Sequence, residues 1–248
     1  MAADRTTVRL RRLLSVPAAL AGGWAVVLAP AGGPRVAVAV ALGLLVAVLA
    51  PYWLIATARG RPATDTERRA VARALDGPPR VRLRVVSETA WVGNAVAAGV
   101  VPGQRYVFVA ESLFDLLGDE QAAAVVAHEL AHHRRRHVLL RHGMAVVALG
   151  YVTALAEFAP WRLLPTVVLG TVPYLLATAW VVRRTELAAD AAAARATSPG
   201  ALADALERLV ESGLVLGGTN TVWRWFAEHP TVTTRLSRLR SSAADRRL

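Results

Sequence analysis

Apolar residues fall along this chain in two rhythms. Four runs are almost continuously apolar: 13–29, 36–58, 138–156 and 163–182. Each is near the roughly twenty residues that cross a bilayer core. The short turns 30–35 and 157–162 join them in pairs, so the pattern predicts two transmembrane helical hairpins. The first run follows Arg5, Arg9, Arg11 and Arg12 and has the charge pattern of a signal peptide. The second run follows so closely that a retained hairpin is the expected arrangement.

Elsewhere the rhythm is that of a folded domain. Residues 64–76 read as a helix, with Thr64 or Asp65 as N-cap and Gly77 as its stop. Residues 80–87 and 105–112 read as strands, the second leading into a helix near Ser112–Leu117. An Ala-rich helix without Gly or Pro starts at Asp119 and Glu120. A second Ala-rich helix emerges from the fourth apolar run, and residues 199–213 form another. A turn at Gly217 and Gly218 precedes a tail containing EHPTVTTRLSRLR. The expected parts are an N-terminal hairpin (1–58), a folded part outside the membrane (59–137), a second hairpin (138–182) and a second such part (183–248). The fold class is a mainly α membrane protein with a small α+β core.

Composition agrees with the runs. The chain is 54% hydrophobic, with mean hydropathy +0.38, too apolar for an ordinary soluble domain. Its 248 residues include no cysteine, which excludes disulfides and thiolate metal sites. A net charge of +11 would suggest nucleic acid in a soluble protein. Here the arginines flank the apolar runs, no stacking aromatics accompany them, and no nucleic-acid partner is expected. Arginine precedes the first and third runs and follows the second and fourth. This places both hairpins' ends and the large loops in the cytoplasm, next to the lipid bilayer.

The chemistry lies in His128-Glu129-Leu130-Ala131-His132. On a helix, His128 and His132 are one turn apart on one face and can share a zinc ion, with Glu129 placed to act on water at that ion. Zinc needs a third ligand and an open position. Glu186 supplies a carboxylate, and Asp190, one turn further on, can accept the second ring N–H of a zinc-bound histidine. Other candidate ligands fit less well. His133 points about 100° away around the helix, His137 reaches the site only if that helix breaks, and His142 lies within an apolar run. A non-catalytic structural zinc site is the main alternative. Such sites usually close all four positions with protein ligands, commonly Cys.

The order Asn94-Ala95, SLFDLL, AHELAHHRRRH, TELAAD, EHPTVTTRL resembles the integral-membrane zinc metallopeptidases of family M forty-eight, which include HtpX-like proteases and CAAX prenyl endopeptidases. The resemblance covers roughly residues 62–240. It implies a gluzincin-like core, one zinc per chain, and endopeptidase activity on a protein or peptide substrate; the arginine placement puts that site on the cytoplasmic side of the plasma membrane. It maps the zinc site to His128, His132 and Glu186, the base to Glu129 and the supporting carboxylate to Asp190. His229, a candidate oxyanion donor, and Asn94 and Arg235 fall at positions expected near substrate. The strand at 105–110 is a candidate edge for an extended peptide. The chain departs from the family pattern at Val96, where Phe is usual, and at His133, where an aliphatic residue is usual. Antibiotic-sensing receptor metallopeptidases, which cleave a partner repressor, share a similar HExxH and downstream Glu.

Overall fold

The computed structural model describes residues 33–49, 60–75, 77, 80–87, 95–158, 164–213 and 230–245. The first apolar run, the end of the second, Asn94, the turn at 217–218 and His229 lie outside them. The described part is mainly helical, with one four-stranded sheet. Helical residues 33–49 form α1. Then follow β1 (Arg61–Pro62), α2 (Asp65–Ala74), β2 (Arg82–Val86), β3 (Ala95–Ala98), β4 (Tyr106–Ala110), α3 (Glu111–Leu116) and α4 (Asp119–Arg134). The remaining helices are α5 (His137–Phe158), α6 (Leu164–Ala196), α7 (Pro199–Glu211) and α8 (Val232–Asp245).

Two compact units divide the chain at residues 50/51, 138/139 and 172/173. One contains α1 and most of α5. There Gly43 gives room to Val146 and Leu149, whose atoms would lie 3.2 and 3.3 Å from an added Cβ, and Gly150 does the same for Val40 at 3.2 Å. Among the described residues, no helix is long and apolar enough to cross a membrane.

The other unit holds the sheet and the Ala-rich helices. The sheet order is β1-β2-β4-β3, with β2 and β4 parallel and the outer pairs antiparallel. β4 is therefore interior and wholly buried. The edges are β1 and β3, which corrects the expectation that 105–110 is an edge open to a peptide. Strands on both sides already occupy its backbone groups. Side chains of β4 alternate as strand geometry requires. Val107 and Val109 pack with Leu83, Val85, Val126 and Leu209, whereas Tyr106 and Phe108 pack with Val86 and Ala98 on the opposite face.

Local signals explain the helices. Thr64 caps α2 and its side chain accepts from the Glu67 N–H, while Glu67 Oε2 accepts from the Thr64 N–H at 2.6 Å. This reciprocal box satisfies two otherwise orphaned donors. Ser198 caps α7 in the same sense, accepting from the Ala201 N–H. Both Ala-rich helices keep small residues where they are buried: Ala123, Ala124, Ala127 and Ala131 on α4, and Ala189, Ala193 and Ala194 on α6. Alanine loses no side-chain entropy in a helix. It also leaves room for close helix approach, and this sets α4 beside the Glu186 turn of α6.

Candidate active site

His128 and His132 stand one turn apart on α4, and Glu186 and Asp190 one turn apart on α6. All four are buried, between 3 and 6% exposed. Among the described residues, His128, His132 and Glu186 are the one cluster whose ligand atoms all lie within 4.8 Å of one another. The atoms that converge are His128 Nε2, His132 Nε2 and the Glu186 carboxylate. Their separations are 3.2 Å between the two nitrogens, 3.3 Å from His132 to Oε1 and 3.5 Å from His128 to Oε2. A tetrahedral zinc with bonds of about 2.0–2.1 Å has ligand–ligand edges of about 3.3–3.4 Å. The donor set and its spacing therefore fit zinc, with a fourth corner left open.

Behind the cluster a second layer holds the ligands. His128 Nδ1 lies 2.9 Å from Asp190 Oδ1. Asp190 is clamped by Arg235 of α8, whose Nε and Nη2 donate to Oδ2 at 2.8 Å and Oδ1 at 2.6 Å. Burial opposes ionisation of Asp190, but its bonds to His128 and Arg235 hold the carboxyl below the ordinary carboxylate range. Burial also disfavours a charged His128. The carboxylates of Asp190 and Glu186 override this and hold its pKa up at about 9. The two carboxylates thus favour positive charge at this ring, whether a proton or a metal ion supplies it.

Glu129 adjoins His128 but takes no part in the ligand cluster. Its Oε2 accepts the Ala97 N–H at 2.7 Å, so the carboxylate sits against edge strand β3. Reading the sequence missed this contact, because a backbone donor leaves no trace in residue identity. His133 faces elsewhere, as its 100° offset requires, and its Nε2 lies 2.8 Å from the Tyr106 carbonyl oxygen. Burial pushes its pKa down. His142 lies on α5, outside the cluster. Arg235, expected near substrate, has its guanidinium engaged on Asp190, with its side chain 13% exposed.

Comparison with known proteins agrees with this geometry. The chain is 29% identical to a protease HtpX homolog of Pyrococcus abyssi over 204 residues, covering 68% of this chain and 70% of that one. It is 27% identical, over an alignment 286 positions long with gaps, to a protease HtpX homolog of Syntrophobacter fumaroxidans, covering 96% of this chain and 98% of the relative. Its fold superimposes on the crystal structure of Ste24p from S. mikatae with a TM-score of 0.65 at 16% identity, covering 94% of this chain and 65% of that one. Residues 62–243 match peptidase family M48. Two histidines and a carboxylate set for a metal, with Glu129 beside them outside the ligand set, accord with that match over most of the chain, and the chain belongs to peptidase family M48.

Proposed function

We propose that this metallopeptidase is a zinc-dependent endopeptidase of the HtpX-like kind, held in the cytoplasmic membrane with its active site on the cytoplasmic side. It would cut membrane or cytoplasmic protein substrates. The observation that carries the reading is the tetrahedral spacing of His128, His132 and Glu186, with Glu129 adjacent but outside the set. Zinc held there would polarise the scissile carbonyl and lower the pKa of a bound water toward 7. Glu129 then takes the water's proton and returns it to the leaving amine. Asp190 keeps His128 in the tautomer that leaves Nε2 free. An extended peptide lies along the outer edge of β3, beside Glu129. Asn94 and His229 serve substrate and oxyanion, as the family resemblance implies.

The membrane reading is supported by surface composition. Among the described residues, the large exposed apolar side chains all lie on α1, α5 and α6, including Val46 at 67%, Val147 at 60% and Trp180 at 54%. Water-facing surfaces rarely gather so many.

The test is Glu129→Gln in the full-length protein purified in detergent. It should abolish casein cleavage and retain zinc at the wild-type level, because it removes the base and no ligand. Cleavage at the wild-type rate would remove Glu129 from the chemistry and favour a structural zinc site.

A further inference from the structure

Each zinc-binding histidine has a second ring nitrogen that needs a partner. For His128 that partner is Asp190. For His132 it is His137, whose Nδ1 lies 3.2 Å from the His132 Nδ1. An unbroken helix cannot make this contact, because residues five apart project about 140° from each other. The chain breaks to make it. α4 closes at Arg134, with the Arg135 N–H on the Ala131 carbonyl and the Arg136 N–H on the His133 carbonyl. Arg136 then turns to φ 59°, the one non-glycine residue in the left-handed region among the described residues. A residue with a side chain is disfavoured in such a conformation and keeps it only where the surroundings demand it. α5 begins at the next residue, and His137 comes back against His132, ring centroids 5.2 Å apart at 69°. Both rings are buried, 8 and 4% exposed.

We propose that His137 is the positioning residue for zinc ligand His132, and that the strained turn at Arg136 serves to place it. The proposal rests on the zinc reading above. Ligation through Nε2 leaves the single proton of His132 on Nδ1. His137 Nδ1 is then the acceptor, and its own proton sits on Nε2. A neutral imidazole thus does for His132 what a carboxylate does for His128. His137 is not itself a ligand: its near nitrogen meets the far side of the His132 ring, and it stands outside the converging set.

Three substitutions separate this role from packing alone. Asn places its Oδ1 where His137 has Nδ1, Gln places its carbonyl near the position of Nε2, and Leu fills the space without an acceptor. The measurement is the zinc dissociation constant of the full chain in detergent, by competition with a chelator. His137→Leu and His137→Gln should bind zinc about 10- to 100-fold more weakly, and His137→Asn should stay within about threefold of wild type. Arg136→Val, which disfavours the left-handed turn while touching neither ring, should resemble His137→Leu; Arg136→Gly should bind as wild type. Equal affinities for the Asn and Gln variants overturn the proposal, and that comparison stands even if His137→Leu does not fold. A wild-type protein that binds no zinc defeats the functional reading as well. A zinc-loaded wild type with unaffected variants defeats this inference alone.

Discussion

Arg235 shows how much of the site depends on one side chain from a distant segment. It grips both oxygens of Asp190, and Asp190 in turn meets the His128 ring. Removing one partner of a buried ion pair leaves the other charged and unpaired, at roughly 3–5 kcal/mol. Arg235→Ala should therefore lower the thermal stability of the protein and weaken zinc binding together. If Arg235 instead serves only to hold substrate, the same variant would raise KM with stability and zinc affinity unchanged, so the two measurements decide its role. Asp190→Asn should lose about 10- to 100-fold in zinc affinity, as partners of metal ligands typically do. At this scale the sequence was most legible where spacing on one helix determines geometry. His128 with His132, and Glu186 with Asp190, follow from the helical repeat. The site of Arg235 does not, because only the packing of α8 carries it to Asp190.

Elements were legible where their signals are local. Thr64, Gly77 and the Ala-rich stretch after Asp119 announce α2 and α4 within a few residues. β3 has no such signal. AVAA is a poor strand sequence, and it becomes one by pairing with β4 in the register Ala97 to Val107. The segment of α8 has the sequence of a tail, because Thr and Ser are modest helix formers; it is held by Leu236 and Leu239 against the cluster containing Leu202 and Leu206. The two-residue β1 also depends on outside support. Arg61 forks onto Glu67 of α2 at 2.8 and 3.0 Å, and this bond is the main reason the Glu67 carboxyl lies below its ordinary 4.5. A carboxyl depressed in the folded state contributes stability above its unfolded pKa and loses it as pH falls through the folded value. The catalytic unit should therefore lose stability below about pH 4.5, and Glu67→Gln should flatten that slope at a cost near 1 kcal/mol at neutral pH, since Arg61 is partly exposed. Denaturation midpoints between pH 3 and 7 would check both; an identical slope in the variant would assign acid sensitivity to other groups.

On the scale of the whole molecule, apolar exposure is confined to three helices. Among the described residues, the large exposed apolar side chains lie on α1, α5 and α6, the last of which also carries Glu186 and Asp190. If lipid covers the apolar helices, the protein should stay in the membrane pellet through alkaline carbonate extraction and should precipitate when detergent is diluted away. Release into the carbonate supernatant would refute the membrane assignment. A cysteine at position 104, convenient in a chain with none of its own, should resist labelling from outside intact cells. Strong outside labelling would place the active site on the opposite face.

The bond from the Ala97 N–H to Glu129 has a consequence for how the enzyme can diverge. Its donor belongs to the peptide unit, so the partner of the Glu129 carboxylate is anonymous: nearly any small residue at position 97 supplies it equally. Drift there would be silent in function, and no comparison of residue identities would mark the position as important. Proline is the exception, since it alone lacks the hydrogen. Ala97→Ser should cleave as wild type, whereas Ala97→Pro should bind zinc but turn over substrate poorly. Full turnover by the proline variant would show that the carboxylate needs no such anchor.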